Sequence, residues 1–244
     1  MVEQLRAMLS FLTILPVGRD YDVEYLAKNM FLFPLAGVII GLLLGSLGFG
    51  LSLAIPGLVV GLIVTAALFL LTGSHHTDGL ADFADGLMAK GDTDLKRDVM
   101  RDPSIGSAGM MVLLLYLAGS VIAISLMSDF LLFRVLIASE VISKFVMVFL
   151  AYRGTAAWEG IGSPFTEHMK STSKFLAAGT ITISLAYVLG GLPGLLALGV
   201  AVVIGFILLK VSNRSFGGVS GDVFGASNEI TRVSSLIILA VVLS

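Results

Sequence analysis

The sequence contains no cysteine and few charged residues. Without cysteine the chain has neither disulfides nor thiolate-held metals. Only 13% of the residues are charged, about half of the 25% usual in soluble domains. In contrast, 57% are hydrophobic and the mean hydropathy is +1.00. The net charge of −2 gives no indication of nucleic-acid binding. These values exclude a soluble protein and predict one integral membrane domain, all-α and polytopic, over residues 1–244.

Long apolar runs predict about six transmembrane helices, since a span needs about 20 apolar residues. They cover residues 31–53, 58–72, 107–127, 130–151, 175–189 and 195–211. The apolar stretches 5–17 and 233–244 are too short to cross fully, so we expect short amphipathic or re-entrant helices there. The polar segment 21–29 is predicted to be a connection between helices, and residues 213–229 form a glycine-rich polar segment before the last apolar stretch.

The first predicted span has glycine at every fourth position, at Gly37, Gly41 and Gly45. Small residues at this spacing place a smooth face on a helix, which allows a second helix to approach closely. We therefore expect this face to pack against another span rather than against lipid.

Lysine and arginine are absent from the turns 54–57, 128–129 and 190–194 and are concentrated in the segments on the opposite side. Arg134 is the exception, because it lies near the end of the fourth predicted span that follows the turn 128–129. Because basic loops remain in the cytoplasm, we expect the acidic stretch 73–106, the polar loop 152–174 and the segment 213–229 to share the cytoplasmic face of the cell (inner) membrane.

The acidic stretch stacks like charges. Asp82 and Asp85 each lie within about 40° of Asp78 on a helix. Asp98 and Asp102, four residues apart, form a second acidic face. Carboxylates at this spacing repel, and a divalent cation with oxygen ligands would relieve the repulsion. The alternative is a solvated charged loop, but an apolar face opposite the acids favours a helix packed in the bundle.

Polar residues near the C-terminus form another candidate site. Asp222 and Glu229 are seven residues apart, hence on one helical face, with Asn228 beside them. Four glycines free the backbone to approach a ligand, namely Gly217, Gly218, Gly221 and Gly225. The pattern favours substrate binding over a flexible connector. Within the fourth span, Glu140 and Lys144 are predicted to pair with each other or to face the cavity.

Part of the acidic stretch resembles the signature of CDP-alcohol phosphotransferases, in which two helices each offer two carboxylates. The matching positions are Asp82, Asp85, Gly86, Ala89, Asp98 and Asp102. Lys90 stands where that signature has arginine, and the spacer before Asp98 is shorter. Two such pairs are enough to hold two divalent ions across a diphosphate.

The whole chain is more closely similar to the cobalamin (5'-phosphate) synthase family, which it resembles in four separate blocks in the same order. The blocks are residues 10–17, 33–41, 76–106 and 217–229. Pro103 and Ser104 replace a serine–arginine pair of the family, and Arg232 stands near a usually acidic position.

This resemblance implies transfer of adenosylcobinamide phosphate from adenosylcobinamide-GDP to α-ribazole or α-ribazole 5'-phosphate, with GMP leaving, in late cobalamin biosynthesis. It implies Mg²⁺ as cofactor, held by Asp78, Asp82, Asp85, Asp98 and Asp102. The expected catalytic residues are Asp102 as proton acceptor, Asp85 and His76. Helix geometry favours His75 instead of His76, since His75 precedes Asp78 by three residues. Substrate binding is expected from Lys90, Lys96, Arg101, Asp222, Asn228 and Glu229.

Two other functions fit some of the same residues. A CDP-alcohol phosphotransferase of phospholipid synthesis would share the chemistry but would carry arginine where Lys90 stands. A cation-coupled transporter would place its acids near mid-membrane, on broken helices. The expected partners are the two substrates and the lipid bilayer, with no nucleic acid, and the chain is either a monomer or a homo-oligomer.

Overall fold

The computed structural model describes residues 1–17 and 21–244, and this part of the chain is helical, with no β-strand beyond a single bridge between Ala156 and Val219. A 3₁₀ turn, Met30–Leu32, joins the second and third helices. In chain order the helices are α1 (Val2–Leu12), α2 (Val23–Asn29), α3 (Phe33–Ser52), α4 (Gly57–Thr72), α5 (His75–Met88), α6 (Thr93–Arg101), α7 (Ser107–Ser125), α8 (Asp129–Arg153), α9 (Ser163–His168), α10 (Thr172–Phe216) and α11 (Gly221–Leu243). The predicted all-α class is confirmed.

Among the described residues, five helices are long and apolar enough to cross a membrane, or six if the bent pair of α4 and α5 is one span. The five are α2–α3 taken together, α7, α8, α10 and α11. The predicted polytopic membrane protein is therefore confirmed.

Helix α10 has 45 residues, which is about 67 Å of helix and more than twice the thickness of a bilayer core. It is broken at Gly191, whose φ of 62° lies in the left-handed region that favours glycine. Beyond the break the chain turns back so tightly that a side chain at Gly194 would collide with the carbonyl of Ala186. The two halves thus form two passes, with the turn where the sequence predicted it.

Two predictions are wrong, namely the connection at 21–29 and the short C-terminal helix at 233–244. The segment 21–29 contains α2, which begins after Asp22, whose side chain accepts a hydrogen bond from the backbone N–H of Glu24. The last helix is longer than predicted, because α11 begins at Gly221 and continues unbroken for 23 residues to Leu243. The last helix is therefore long enough to span, and its polar first half lies inside the bundle instead of in a loop.

Helix α8 forms the centre of the bundle, and every residue from Val135 to Ala151 is buried. The glycine face of α3 packs directly on its backbone. A Cβ at Gly37 would lie 2.7 Å from the carbonyl oxygen of Glu140, and one at Gly41 would lie 2.5 Å from the Cα of Ile137. The predicted close helix contact is confirmed.

One end of the bundle gathers the three polar segments. Arg97 of α6 donates to the carbonyl oxygen of Phe216, at 2.9 Å, and to that of Ala157, at 3.0 Å. Val219 in turn accepts from the backbone N–H of Ala157 and donates to the carbonyl of Thr155. These bonds join the acidic stretch, the loop after α8 and the glycine-rich segment, so the prediction that they share one face is confirmed. We call this face the polar end.

The contact between α3 and α8 predicts opposite results for two glycines of α3. Gly41→Ala should lower the free energy of unfolding by about 1–3 kcal/mol, because the methyl group overpacks a backbone contact. Gly50→Ala is the matched control, since nothing lies within 4 Å of its added Cβ. Thermal unfolding of purified protein in detergent measures both, and equal melting temperatures for the two variants would contradict this packing.

Candidate active site

The acidic helix α5 lies across the polar end. It begins after Gly73, whose φ of 70° lets the chain turn so that α5 makes an angle of 94° with α4. The bend turns α5 out of line with α4, and α5 is not among the five helices that are long and apolar enough to cross a membrane by themselves. Leu80 and Phe83 are buried on one side of α5, which leaves its acids on the other.

A half-open cavity of about 200 Å³ lies beside α5. Asp78 and Asp82 line it from α5, and Pro103 and Ile105 line it from the loop before α7. This loop and α5 thus border a space, open on one side, in which two carboxylates stand among apolar side chains.

The carboxylates at this cavity form an unbalanced negative cluster. Asp82 is half-buried, and burial together with the neighbouring carboxylates of Asp78, Asp222 and Asp85 raises the pKa of Asp82 to about 7. A cation that enters the cavity would stabilise the ionised carboxylate of Asp82. The cluster therefore favours binding of a cation or of a cation–phosphate complex.

Asp222 reaches this cluster because α5 and α11 cross with their backbones in contact. A Cβ at Gly79 would lie 2.8 Å from the Cα of Asp222, and a Cβ at Gly225 would lie 3.0 Å from the carbonyl oxygen of His76. Neither position accommodates a side chain without moving the helices. The crossing brings an acid 144 residues further along the chain beside Asp78.

Asp85 holds the next element in place. Its two carboxylate oxygens accept hydrogen bonds from the backbone N–H groups of Gly106, at 2.7 Å, and Gly109, at 2.9 Å. These are N–H groups at the start of α7 that have no partner within their own helix. Asp85 thus caps the N-terminus of α7 from a separate helix and anchors the loop that lines the cavity.

Asp98 and Asp102 are exposed, on and just after α6. Asp102 accepts a hydrogen bond from the backbone N–H of Ser104 at 2.8 Å, and bonding to Ser104 lowers its pKa. Asp102 thus adjoins Pro103, which lines the cavity.

Among the described residues, no three histidine or carboxylate side chains are close enough to hold a metal ion by themselves. Of the five predicted ligands, the structure brings Asp78 and Asp82 to one cavity and engages Asp85 with backbone. Mg²⁺ needs only one or two protein carboxylates, with water and substrate phosphates completing the octahedron. The donor set at the cavity therefore fits Mg²⁺ bound together with a phosphate.

The predicted cations are distributed around this end. Lys90 is exposed, and Lys96 donates to the carbonyl oxygen of Leu87 at 3.2 Å. Arg101 is exposed and stacks on Trp158, with its guanidinium carbon 4.9 Å from the ring centroid. The charge of Arg101 also attracts the carboxylate of Asp222. Trp158 thus supports an arginine of the polar end.

The structure places His76, Asn228 and Glu229 in the interior instead of on the cavity wall. Asn228 and Glu229 are at most 1% exposed, and the side chain of His76 is 12% exposed. They belong to a buried network with charged residues of α8 and α11. The expected pairing of Glu140 with Lys144 within α8 is confirmed by a contact of 3.2 Å. His75, the alternative that helix geometry favoured, is exposed.

The sequence analysis did not predict the structural roles of two arginines. Arg232 lies at the centre of the buried network and contacts both Glu140 and Glu229. Its spacing of three residues from Glu229 puts both on one helical face, a signal that was available. Arg97 joins three segments through backbone carbonyls, and no pattern in the sequence indicates that role.

Comparison with known proteins gives consistent matches over the full chain. A family model described as cobalamin-5-phosphate synthase matches residues 4–240. Adenosylcobinamide-GDP ribazoletransferase of Methanocella arvoryzae is 35% identical over 98% of this chain and 96% of its own. The protein of that name from Archaeoglobus fulgidus is 34% identical over 99% of this chain and 98% of its own. The one from Escherichia coli is 31% identical over 96% of this chain and 97% of its own. No solved structure matches. The chain therefore belongs to the cobalamin-5-phosphate synthase family.

Proposed function

We propose that this protein transfers adenosylcobinamide phosphate from adenosylcobinamide-GDP to α-ribazole or α-ribazole 5'-phosphate and releases GMP. The observation that carries the proposal is the acidic cavity at the polar end. The relatives that carry the name of this transferase match the chain over nearly their whole length, which supports it. Neither phospholipid synthesis nor cation-coupled transport has support from these relatives.

The cavity suits a reaction at a diphosphate. In the transfer, an oxygen of the ribazole forms a bond to phosphorus while the bond to the leaving GMP breaks. Such reactions depend mainly on positioning and on neutralising charge. We propose that Asp78 and Asp82 hold Mg²⁺, with Asp222 beside them. When bound, the ion would neutralise the diphosphate.

The other residues would position the reactants. Asp85 fixes the start of α7 and so the loop that closes one side of the cavity. Asp102, at the end of α6, is our candidate for accepting the proton of the attacking hydroxyl. Arg101, stacked on Trp158, and the exposed Lys90 would attract the phosphate of the leaving GMP.

We further propose that the polar end faces the cytoplasm, in the cell (inner) membrane. The basic residues support this orientation, because the opposite turns contain no lysine or arginine while the polar end is rich in both. Both substrates would then approach the cavity from the cytoplasmic side.

The proposed role of the cavity carboxylates predicts a loss of activity when one of them is neutralised. Asp82→Asn should leave a folded protein in which GMP release falls at least a hundredfold, because loss of a metal-holding charge costs several kcal/mol of transition-state stabilisation. The assay supplies purified protein with adenosylcobinamide-GDP, α-ribazole and Mg²⁺. Glu167→Gln, an exposed acid on α9, is the control and should match the unchanged protein. Near-normal GMP release by Asp82→Asn would remove Asp82 from the site.

Orientation is tested by labelling single cysteines, and the native chain has none to interfere. Asp94→Cys and Asn213→Cys replace exposed residues of the polar end, and Ser128→Cys replaces an exposed residue between α7 and α8. In intact cells a membrane-impermeant maleimide should label only Ser128→Cys, whereas all three should react after lysis. Labelling of Asp94→Cys in intact cells would reverse the proposed orientation.

A further inference from the structure

Four charged side chains lie inside the bundle and neutralise one another. Glu140 and Lys144 come from α8, whereas Glu229 and Arg232 come from α11, and each is at most 1% exposed. Arg232 contacts both carboxylates, with its Nε 2.6 Å from Glu140 Oε1. The Nζ of Lys144 lies 3.2 Å from Glu140 Oε2. The sum of charge is zero, which is the condition for burying such groups.

Asn228 lies within this network in an orientation that chemistry fixes. Its Oδ1 accepts from Lys144 Nζ at 2.8 Å, and its Nδ2 donates to Glu229 Oε1 at 2.8 Å. An ammonium group can only donate and a carboxylate can only accept. Reversing the amide would therefore set donor against donor and acceptor against acceptor.

His76 of α5 is bound to the outer edge of the network. Its Nδ1 lies 3.3 Å from Asn228 Nδ2 and 3.9 Å from Glu229 Oε1. The first distance allows a hydrogen bond and the second is too long for one. Since Asn228 Nδ2 can only donate, Nδ1 of His76 must accept, and the proton of the neutral ring must lie on Nε2.

We infer that Asn228 is a positioning residue, which fixes His76 as the Nε2–H tautomer and so holds the first turn of α5, with Asp78, against α11. Lys144 and Glu229 act through Asn228 by keeping its amide in one orientation. The backbone contact between Gly225 and His76 completes the attachment. The tautomer follows from the geometry alone, and its consequence for catalysis rests on the proposed function.

The isosteric change Asn228→Asp separates this role from simple packing. A carboxylate at position 228 keeps the shape and still accepts from Lys144, but it can no longer donate to His76. The new carboxylate oxygen would set an acceptor against Nδ1 and add one negative charge to the network, so the ring of His76 would then carry a proton on Nδ1, either as the other neutral tautomer or as the imidazolium that restores neutrality. Asn228→Asp should therefore place a proton on Nδ1, which a residue that only fills space would not do.

Nitrogen-15 NMR of histidine-labelled protein in lipid nanodiscs reads the tautomer directly. The chain has three histidines, so His75→Gln and His168→Gln leave the signal of His76 alone. We expect a protonated Nε2 and a bare Nδ1 with Asn228 present, and a protonated Nδ1 in Asn228→Asp. A proton on Nδ1 in the protein that retains Asn228 overturns the inference by itself. An unchanged spectrum in a folded Asn228→Asp also overturns it.

Kinetics then test the consequence for α5. GMP release by Asn228→Asp should show kcat reduced more than tenfold with the KM for α-ribazole changed less than threefold, because the acids are displaced while the substrate surface remains. Normal kcat in a folded variant with Nδ1 of His76 protonated would overturn the positioning role. If the protein with Asn228 has the expected tautomer but never releases GMP, the proposed function fails and the tautomer assignment stands.

Discussion

The neutral group of two carboxylates and two cations between α8 and α11 is the constraint on which the bundle depends. Removing one member would leave an unpaired charge in an apolar interior, at a cost of about 3–5 kcal/mol. The network involves four helices, because Tyr116 of α7 accepts a hydrogen bond from Arg232 and His76 of α5 binds Asn228. The position of the acidic helix is thus set from the interior of the protein.

Glycine sets the distances in this arrangement. Backbone contact between α3 and α8 buries the central helix that carries Glu140 and Lys144. Backbone contact between α5 and α11, at Gly79 and Gly225, brings Asp222 beside Asp78. Close helix contacts therefore serve two purposes, since they bury the charges and gather the carboxylates at one cavity.

The sequence predicts most of the architecture because bilayer length, glycine spacing and the positions of basic residues are strong constraints. It predicts the α10 turn and the shared polar end, and it identifies Asp78, Asp82 and Asp222 as candidates from their periodicity. It misplaces the start of α11, since a polar segment with four glycines has the composition of a loop. Only tertiary contacts show that this polarity is buried.

The same limit applies to individual side chains. A carboxylate that caps a helix and one that faces a cavity have the same sequence spacing, so the role of Asp85 at α7 depends on the position of a loop about 20 residues away. Likewise, Asn228 and Glu229 have the polarity of ligand-binding residues, but their partners lie within the protein. Long-range pairing decides these roles, and a single sequence does not contain it.

The most direct test of the acidic cavity as the reaction site is a cryo-electron microscopy structure of the purified protein with adenosylcobinamide-GDP and Mg²⁺. We predict density for the diphosphate at the polar end, with Mg²⁺ between it and the carboxylates of Asp78 and Asp82. A diphosphate bound where it contacts none of Asp78, Asp82 and Asp222 would contradict the assignment of this cavity.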